Sequence, residues 1–215
     1  MIKSWEDVKV RDLMKIKEIE ALQTKSVEEK NLLTGAYLSN MTYDEFIQLP
    51  LDKAKEYMDL ALFLTEKPKL PKIRNKYVIN GQEYILLKGS EDLTVAQYID
   101  FETIAADGFD KHIPELLAIF LVPEGHSYND GYDKDRAIED MGDMQIVEGL
   151  SIANFFTKRY IKLTQRLMIY LKLRMKWLRM TTRKKDRERM RAIELEMNLI
   201  MEELNSMCGL IVSEQ

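Results

Sequence analysis

The 215-residue chain is 46% hydrophobic and 32% charged and carries a formal net charge of −4, which fits a globular protein with a strongly charged surface. Its single cysteine, Cys208, excludes an internal disulfide and favours a reducing compartment. No apolar run approaches the ~20 residues of a membrane span. None forms a signal sequence either, so we expect a cytoplasmic protein without membrane contact.

Residues 1–66 carry repeated helix-start signals, and we expect a helical N-terminal subdomain there. In a capping box, a Ser or Thr and a polar side chain three residues later satisfy each other's backbone amides. Pairs of this type start three predicted helices: Ser4 with Asp7, Ser26 with Glu29, and Thr42 with Glu45. Pro50 ends the third helix, and a fourth is predicted over residues 51–64. Residues 67–75, with prolines at 68 and 71, predict an extended linker and a domain boundary.

Residues 76–88 predict a β-hairpin. Asn80 and Gly81 separate two runs of strand-forming residues, and both tolerate the positive φ that a two-residue hairpin turn requires. An isolated hairpin is marginally stable in water, so it is expected to pack on the apolar stretch that follows. We therefore predict that residues 76–150 form a central domain in which a small hairpin packs on a helical core.

The most apolar stretch of the chain, residues 93–133, should form that core. Thr94 and Gln97 make a further capping box, which starts a predicted helix that Gly108 closes. Val95, Tyr98, Ile99, Glu102 and Ala106 follow the spacing of this helix.

Pro114 and Pro123 bracket the only long apolar run of the sequence, which predicts a buried helix through Val122. A helix that is apolar nearly all round has no side suited to water, so it belongs in the interior. Beyond a polar loop, Asp133 and Asp143 are each placed to cap a further helix.

Residues 151–215 predict long C-terminal helices, because no Gly or Pro occurs between Gly149 and Gly209. Residues at heptad spacing form two stripes, Leu163, Leu167, Tyr170, Arg174 and Trp177 in the first and Met190, Ile193, Met197, Ile200, Leu204 and Met207 in the second. Two antiparallel helices that turn near residues 181–182 are favoured over one long bent helix, because the stripes can then pack together. The expected fold class is mainly α, with a long helical hairpin or coiled coil at its C-terminus.

The formal charge is divided unevenly along the chain. Residues 158–191 hold 14 Lys/Arg against 2 Asp/Glu, a net +12, and the remainder carries −16. The residues assigned to this basic face are Lys158, Arg159, Arg166, Arg179, Arg183, Lys184, Lys185, Arg187 and Arg191. A solvated face, or one that meets an acidic protein partner, is the favoured interpretation. Nucleic-acid contact and an anionic membrane surface are the alternatives.

The loop at residues 125–135, GHSYNDGYDKD, is rich in oxygen donors. A calcium loop of the EF-hand type needs ligands at alternate positions, Gly at the sixth and Glu at the twelfth, and this spacing is not met. An ordinary turn with a helix cap is favoured, and an exposed contact loop is the alternative because loop aromatics often mark interfaces. The residues predicted to contact a partner are Tyr128, Asn129, Asp130 and Tyr132.

No pattern in the sequence selects a catalytic site. The two histidines, His112 and His126, lie 14 residues apart without a nearby cysteine, which matches no zinc pattern. Nucleophile elbow, phosphate-binding loop, dinucleotide fingerprint and paired-carboxylate motif are all missing. We therefore expect a protein without enzymatic activity, without a metal and without a cofactor.

Six short phrases stand out between residues 5 and 156: WEDV (5–8), YVING (77–81), LTVAQYIDF (93–101), ELLAIFLVP (115–123), YNDGYD (128–133) and LSIANFF (150–156). In these phrases the chain resembles the tail assembly chaperones of tailed bacteriophages, particularly those from phages and prophages of the Bacteroides group. The resemblance implies a non-enzymatic morphogenesis protein in the host cytoplasm. Such a protein would hold tape-measure or tail-tube subunits until they polymerise.

The long basic C-terminal segment departs from the simple pattern of that family and keeps two alternatives open. One is a structural virion protein of the portal, neck or tail region, which would be incorporated into the particle. The other is a nucleic-acid-binding protein that uses the basic helices. The expected partners are other phage structural or assembly proteins, with a second copy of the chain and nucleic acid as alternatives.

Overall fold

The computed structural model of the chain describes residues 1–88, 94–109, 111–129, 131–181 and 195. The fold is mainly α with a small three-stranded antiparallel sheet, as predicted. The chain divides into two compact units, residues 1–153 and residues 154–215.

Helices α1 to α8 span, in order, Val10–Glu20, Val27–Leu38, Tyr43–Ile47, Leu51–Leu60, Val95–Asp107, Ile113–Phe120, Lys134–Asp143 and Ile146–Thr181. Strands β1 to β3 span Lys76–Ile79, Gln82–Leu86 and Leu121–Pro123. The fourth predicted helix is shorter than expected, because a 3-10 turn replaces its end at Ala61–Thr65. Residues 67–75 form neither helix nor strand, as their prolines predict. The division into segments 1–66, 67–75, 76–150 and 151–215 stays a prediction.

Three of the four predicted capping boxes start helices. Ser26, Thr42 and Thr94 each accept a hydrogen bond from the amide three residues on, and the side chain there returns one. The fourth prediction, at Ser4 and Asp7, is wrong because these residues form a turn. Helix α1 begins only at Val10, since the backbone before it is engaged elsewhere.

That engagement is a short antiparallel bridge between the N-terminal chain and the segment before α8. The amide of Val10 donates to the carbonyl of Met144 (2.9 Å), and the amide of Ile146 donates to the carbonyl of Val8 (2.8 Å). Val8, Val10 and Ile146 are all fully buried. Residues 8–10, where α1 begins, are therefore held against the segment that leads into α8.

The predicted hairpin is confirmed in its register and its turn. Tyr77 pairs with Tyr84 and Ile79 with Gln82, and both turn residues have positive φ, +50° at Asn80 and +81° at Gly81. The first strand, β1, lies at an outer edge of the sheet.

The third strand of the sheet was not expected from the sequence. The predicted buried helix ends at Phe120, two residues early, and Leu121–Pro123 pair antiparallel with β2. The amide of Leu87 donates to the carbonyl of Phe120 (2.9 Å), and the amide of Glu124 donates to the carbonyl of Glu83 (2.9 Å), so this segment continues beside β2 instead of as a further helical turn. Because the run is apolar on every side, its pattern could not distinguish a buried helix from a buried strand.

Helix α6 is buried along most of its length, as predicted. The core around it draws on most elements of the first unit, but not on α4, and its largest fully buried side chains include Phe46, Tyr84, Phe120, Met141 and Ile146. The N-terminal helices, the hairpin and the central helices therefore share one apolar interior.

A carboxylate lies within this interior and is fully hydrogen-bonded. Asp140 of α7 is buried, and its two oxygens accept from different elements. The hydroxyl of Tyr84 in β2 donates to Oδ2 (2.5 Å), and the side-chain amide of Asn80 in the hairpin turn donates to Oδ1 (2.8 Å). Burial and the hydrogen bond to this carboxylate raise the pKa of Tyr84 well above its ordinary value. Asp140 thus joins the hairpin to α7.

Asp143, one turn along, connects the N-terminal chain to the same site. Its carboxylate accepts from Lys9 Nζ (2.8 Å) and Asn80 Nδ2 (3.1 Å) and forms an ion pair with Arg11. Burial alone would raise the pKa of Asp143, but these donors outweigh burial and lower it. The prediction that Asp143 caps α8 is wrong, because it is the last residue of α7. Asp133 does cap α7, as predicted.

Helix α8 runs unbroken through Thr181, as the absence of Gly and Pro after Gly149 predicts. The predicted turn at residues 181–182 and the second heptad stripe at 190–207 lie outside the described part of the chain.

We expect Gly149→Ala to destabilise the protein. A Cβ there would lie 2.9 Å from Val10 Cγ2 and 3.1 Å from Leu117 Cδ1, and both of these side chains are buried. The strain of overpacking, about 1–3 kcal/mol, should exceed the roughly 1 kcal/mol that Ala gains over Gly in a helix. Urea unfolding against Gly142→Ala, where the nearest atom is 3.6 Å away, is the measurement. Equal stability of the two variants would contradict the close approach.

Asp140→Ala should lower the free energy of unfolding by about 1–3 kcal/mol, because it leaves the Tyr84 hydroxyl without its acceptor and removes one of the two acceptors of the Asn80 amide. The control is Glu139→Ala, an exposed neighbour on the same helix. Chemical denaturation of both variants tests the difference, and a loss of the same size in E139A would refute it.

Candidate interaction surfaces

The predicted contact loop is anchored to the fold through Tyr128. This side chain is buried, and its hydroxyl donates to Asp100 Oδ2 of α5 at 2.6 Å. Lys134 Nζ lies 3.7 Å from the centre of its ring, a cation–π contact. Tyr128 therefore holds the loop in place rather than offering its ring to a partner. Asn129 is exposed, and Asp130 lies outside the described residues.

Tyr132 is packed into the same loop. Its ring centre lies 6.1 Å from that of His126 and 6.4 Å from that of Tyr128. Its hydroxyl is buried and has no hydrogen-bond partner among the described residues, and burial raises the pKa of Tyr132 to about 12. Across the described ranges, no three His, Cys, Asp or Glu side chains converge as a metal site would require.

The predicted basic face is only partly within the described residues. Lys158 is exposed, and Arg159 is half-buried with its guanidinium carbon 5.9 Å from the centre of the Phe155 ring. Arg166 and Arg179 lie on α8, but their side chains are outside the description. The same holds for the whole of the remaining set, Arg183, Lys184, Lys185, Arg187 and Arg191.

Three exposed cations of α8 were missing from the predicted set. Lys172, Arg174 and Lys176 are all exposed on the distal half of the helix. Residues 158–181 contain eight Lys/Arg and no Asp/Glu, so no acidic residue of this segment moderates their charge. Arg174 lies on the first heptad stripe, which predicts packing in a coiled coil and not an exposed cation.

Among these cations, α8 exposes a short apolar cluster. Ile169, Tyr170 and Leu173 are 60%, 54% and 62% exposed, and we refer to them as the α8 face. Tyr170 belongs to the predicted heptad stripe, so part of that stripe faces solvent in a single copy. Arg174 donates to the Tyr170 hydroxyl at 3.4 Å, which places a guanidinium at the border of the cluster.

A second exposed apolar cluster lies on α5. Val95, Tyr98 and Ile99 are 77%, 54% and 57% exposed, and we refer to them as the α5 face. The opposite side of α5 is the buried one, with Gln97 and Phe101 turned inward. The predicted helix is therefore present, and three of the residues whose spacing predicted it are exposed.

Gln97 explains the orientation of α5. Its side-chain oxygen accepts from the Thr94 amide (2.9 Å) as the capping box predicts, and its side-chain nitrogen donates to the buried carbonyl of Ile119 (2.7 Å). A capping glutamine on the inner side draws Phe101, one turn later, against Phe120 at 5.6 Å between ring centres. The Val95 side is then left to solvent. Gln97 and Phe101 are four residues apart, so they lie on one side of the helix, but a polar glutamine does not by itself predict a buried side.

The α5 face lies in an acidic stretch. Residues 91–110 contain six Asp/Glu and no Lys/Arg. Burial and a hydrogen bond to Glu102 raise the pKa of Tyr98, so this carboxylate adjoins the α5 face. The surface of α5 is therefore apolar and acidic, whereas that of α8 is apolar and basic.

His112 connects the end of α5 to the start of α6. Its Nε2 lies 2.6 Å from Asp107 Oδ2, and its Nδ1 lies 3.5 Å from Glu115 Oε1. The hydrogen bond to Asp107 outweighs the effect of burial and raises the pKa of His112. The same contact lowers the pKa of Asp107.

Comparison of the chain with protein-family models, with curated proteins and with solved structures gives no match. Within the described residues, the helices lack the combination of length and apolar character that crossing a bilayer demands.

We expect His112→Gln to be less stable than the wild type near about pH 5 and equally stable near about pH 9. The pKa is raised in the folded state, so the stabilisation is complete below the unfolded value of about 6.5 and disappears as pH rises through the folded value. The difference should stay below about 1 kcal/mol, because Asp107 is largely exposed. Urea unfolding at both pH values measures it, with H126Q as control. A deficit in H112Q that does not change with pH would contradict this.

Proposed function

We propose that this chain is a non-enzymatic, protein-binding protein of bacteriophage morphogenesis, similar in its role to a tail assembly chaperone and acting in the host cytoplasm. The observation that supports protein binding most directly is the α8 face: three exposed apolar side chains lie among Lys172, Arg174 and Lys176. Exposed apolar clusters rimmed by charge are typical of interaction sites.

Binding by α8 would combine an apolar and an electrostatic contribution. The apolar side chains would cover an apolar segment of the partner and exclude water from it. The cations would favour a partner with acidic groups around that segment, and they would speed the encounter through long-range attraction. A helix with a narrow apolar strip recognises a groove or another helix, which suits an unassembled structural subunit.

Nucleic acid is the weaker alternative for the same helix. Phosphate contacts need cations, but they give no role to exposed Ile169 and Leu173. The chain outside residues 158–191 carries −16, which opposes the approach of DNA. On these grounds we assign α8 to a protein partner.

The placement in phage morphogenesis rests on the six phrases that resemble tail assembly chaperones. A structural virion protein of the portal, neck or tail is the second candidate, because the long basic helix departs from the simple chaperone pattern. Mass spectrometry of purified particles separates the two. We expect the protein to be absent from finished particles, and a defined copy number per particle would favour the structural role instead.

Charge reversal on α8 tests the binding element. K172E/R174E/K176E should lower the amount of phage protein that copurifies with the chain from infected or induced cells by about tenfold or more. The control K3E/K53E/K55E changes the charge equally at exposed lysines of the first unit and should bind like the wild type. Equal binding by the α8 variant would mean that its cations are only solvated.

Retention of DNA over a salt series tests the nucleic-acid alternative. We expect no retention at about 50 mM salt, near the low end of the usual range. Retention that falls steeply as salt rises would overturn the assignment of α8 to a protein partner.

A further inference from the structure

The α5 face and the α8 face are complementary in both chemistry and size. Each comprises three exposed apolar side chains within five residues, 95–99 on α5 and 169–173 on α8, which is about one turn of helix. Such strips are buried when one helix packs on another. The side chains of both strips are more than half exposed.

The charges around the two faces are opposite. Helix α5 carries Asp100, Glu102 and Asp107 and no Lys/Arg, with Lys134 beside Asp100 and Lys111 beside Asp107. The exposed residues near the α8 face include the cations Lys172, Arg174 and Lys176. Two α8 faces brought together would place two strongly basic helices in contact, and two α5 faces would oppose their carboxylates. Only the unlike pairing combines apolar burial with attraction.

We propose that a second copy of this chain binds through that unlike pairing, with the α8 face of one copy docked on the α5 face of the next. This inference rests on the proposed function only in treating α8 as a protein-binding element, and it names a partner that the proposed function leaves open. The tyrosines, Tyr98 and Tyr170, are suited to the centre of such a contact, because their rings bury apolar area while their hydroxyls stay hydrogen-bonded.

A contact of this kind is heterologous, since the two surfaces that meet are different. Every copy then offers two different binding surfaces, its α5 face and its α8 face. Association continues from copy to copy until the rotation between neighbours closes a ring, or it continues as a filament if the rotation does not close.

Two variants each remove one half of the contact. V95K/I99K replaces the apolar α5 face with cations that repel α8, and I169E/L173E replaces the α8 face with carboxylates that repel α5. All four positions are more than half exposed, so the variants are expected to fold, and circular dichroism checks their helix content. The control V27K/L51K makes the same change as the α5 variant at two exposed apolar residues of α2 and α4.

Sedimentation velocity of the full-length chain over a micromolar concentration series is the measurement. We expect the wild type and V27K/L51K to associate, more weakly as salt rises. Each face variant should lose association by about tenfold or more, since it loses two buried apolar groups and gains repulsion. An equimolar mixture of the two variants should form a heterodimer, because one intact α8 face and one intact α5 face remain.

Three outcomes would overturn the inference. They are a wild type that stays monomeric across the series, a V95K/I99K variant that associates like the wild type, and a mixture that fails to form the heterodimer. Its failure is distinguishable from failure of the proposed function. A monomeric wild type that still binds a phage protein, and loses it in K172E/R174E/K176E, would refute only the head-to-tail contact.

Discussion

The first unit depends on one buried carboxylate. A charged group in an apolar interior is costly unless its oxygens are hydrogen-bonded, and Asp140 meets that condition through Tyr84 and Asn80. Each of these donors belongs to the hairpin, which would be marginal alone. The requirement therefore acts in both directions: α7 needs the hairpin to satisfy Asp140, and the hairpin needs α7 as its anchor. Asp143 is hydrogen-bonded in a similar way, and its partner Lys9 belongs to the N-terminal part of the chain.

Close packing at two glycines also holds the first unit together. Gly149 lets the start of α8 approach Val10 and Leu117, and Gly35 in α2 lets the ring of Phe46 lie where a Cβ would be. The first contact joins segments far apart in the sequence, and the second joins two consecutive helices. These close contacts hold the N-terminal helices, the sheet and the central helices of the unit together. The exposed side chains of the α5 face and the α8 face are not among them.

The sequence predicted the features whose causes are local. Capping boxes act within four residues, and the turn at Asn80 depends on two residues, so both could be read directly. The third strand and the orientation of α5 depend on distant partners: β3 forms because β2 has an open edge, and α5 turns because Gln97 reaches the carbonyl of Ile119. The candidate surfaces divide the same way. Charge counts located the basic helix, whereas the exposed α5 face followed only from the helix's orientation.

The outer strand β1 limits how this protein can recognise others. Its edge is four residues long, and it begins with Lys76, which forms ion pairs with Glu83 and Glu124. A short edge with a charged, engaged lysine is a poor template for adding a foreign strand. Main-chain pairing at β1 is thereby discouraged, and under the proposed function recognition would rely on side chains displayed on helices. Affinity and partner choice can then be adjusted one residue at a time, without changing the backbone of the sheet.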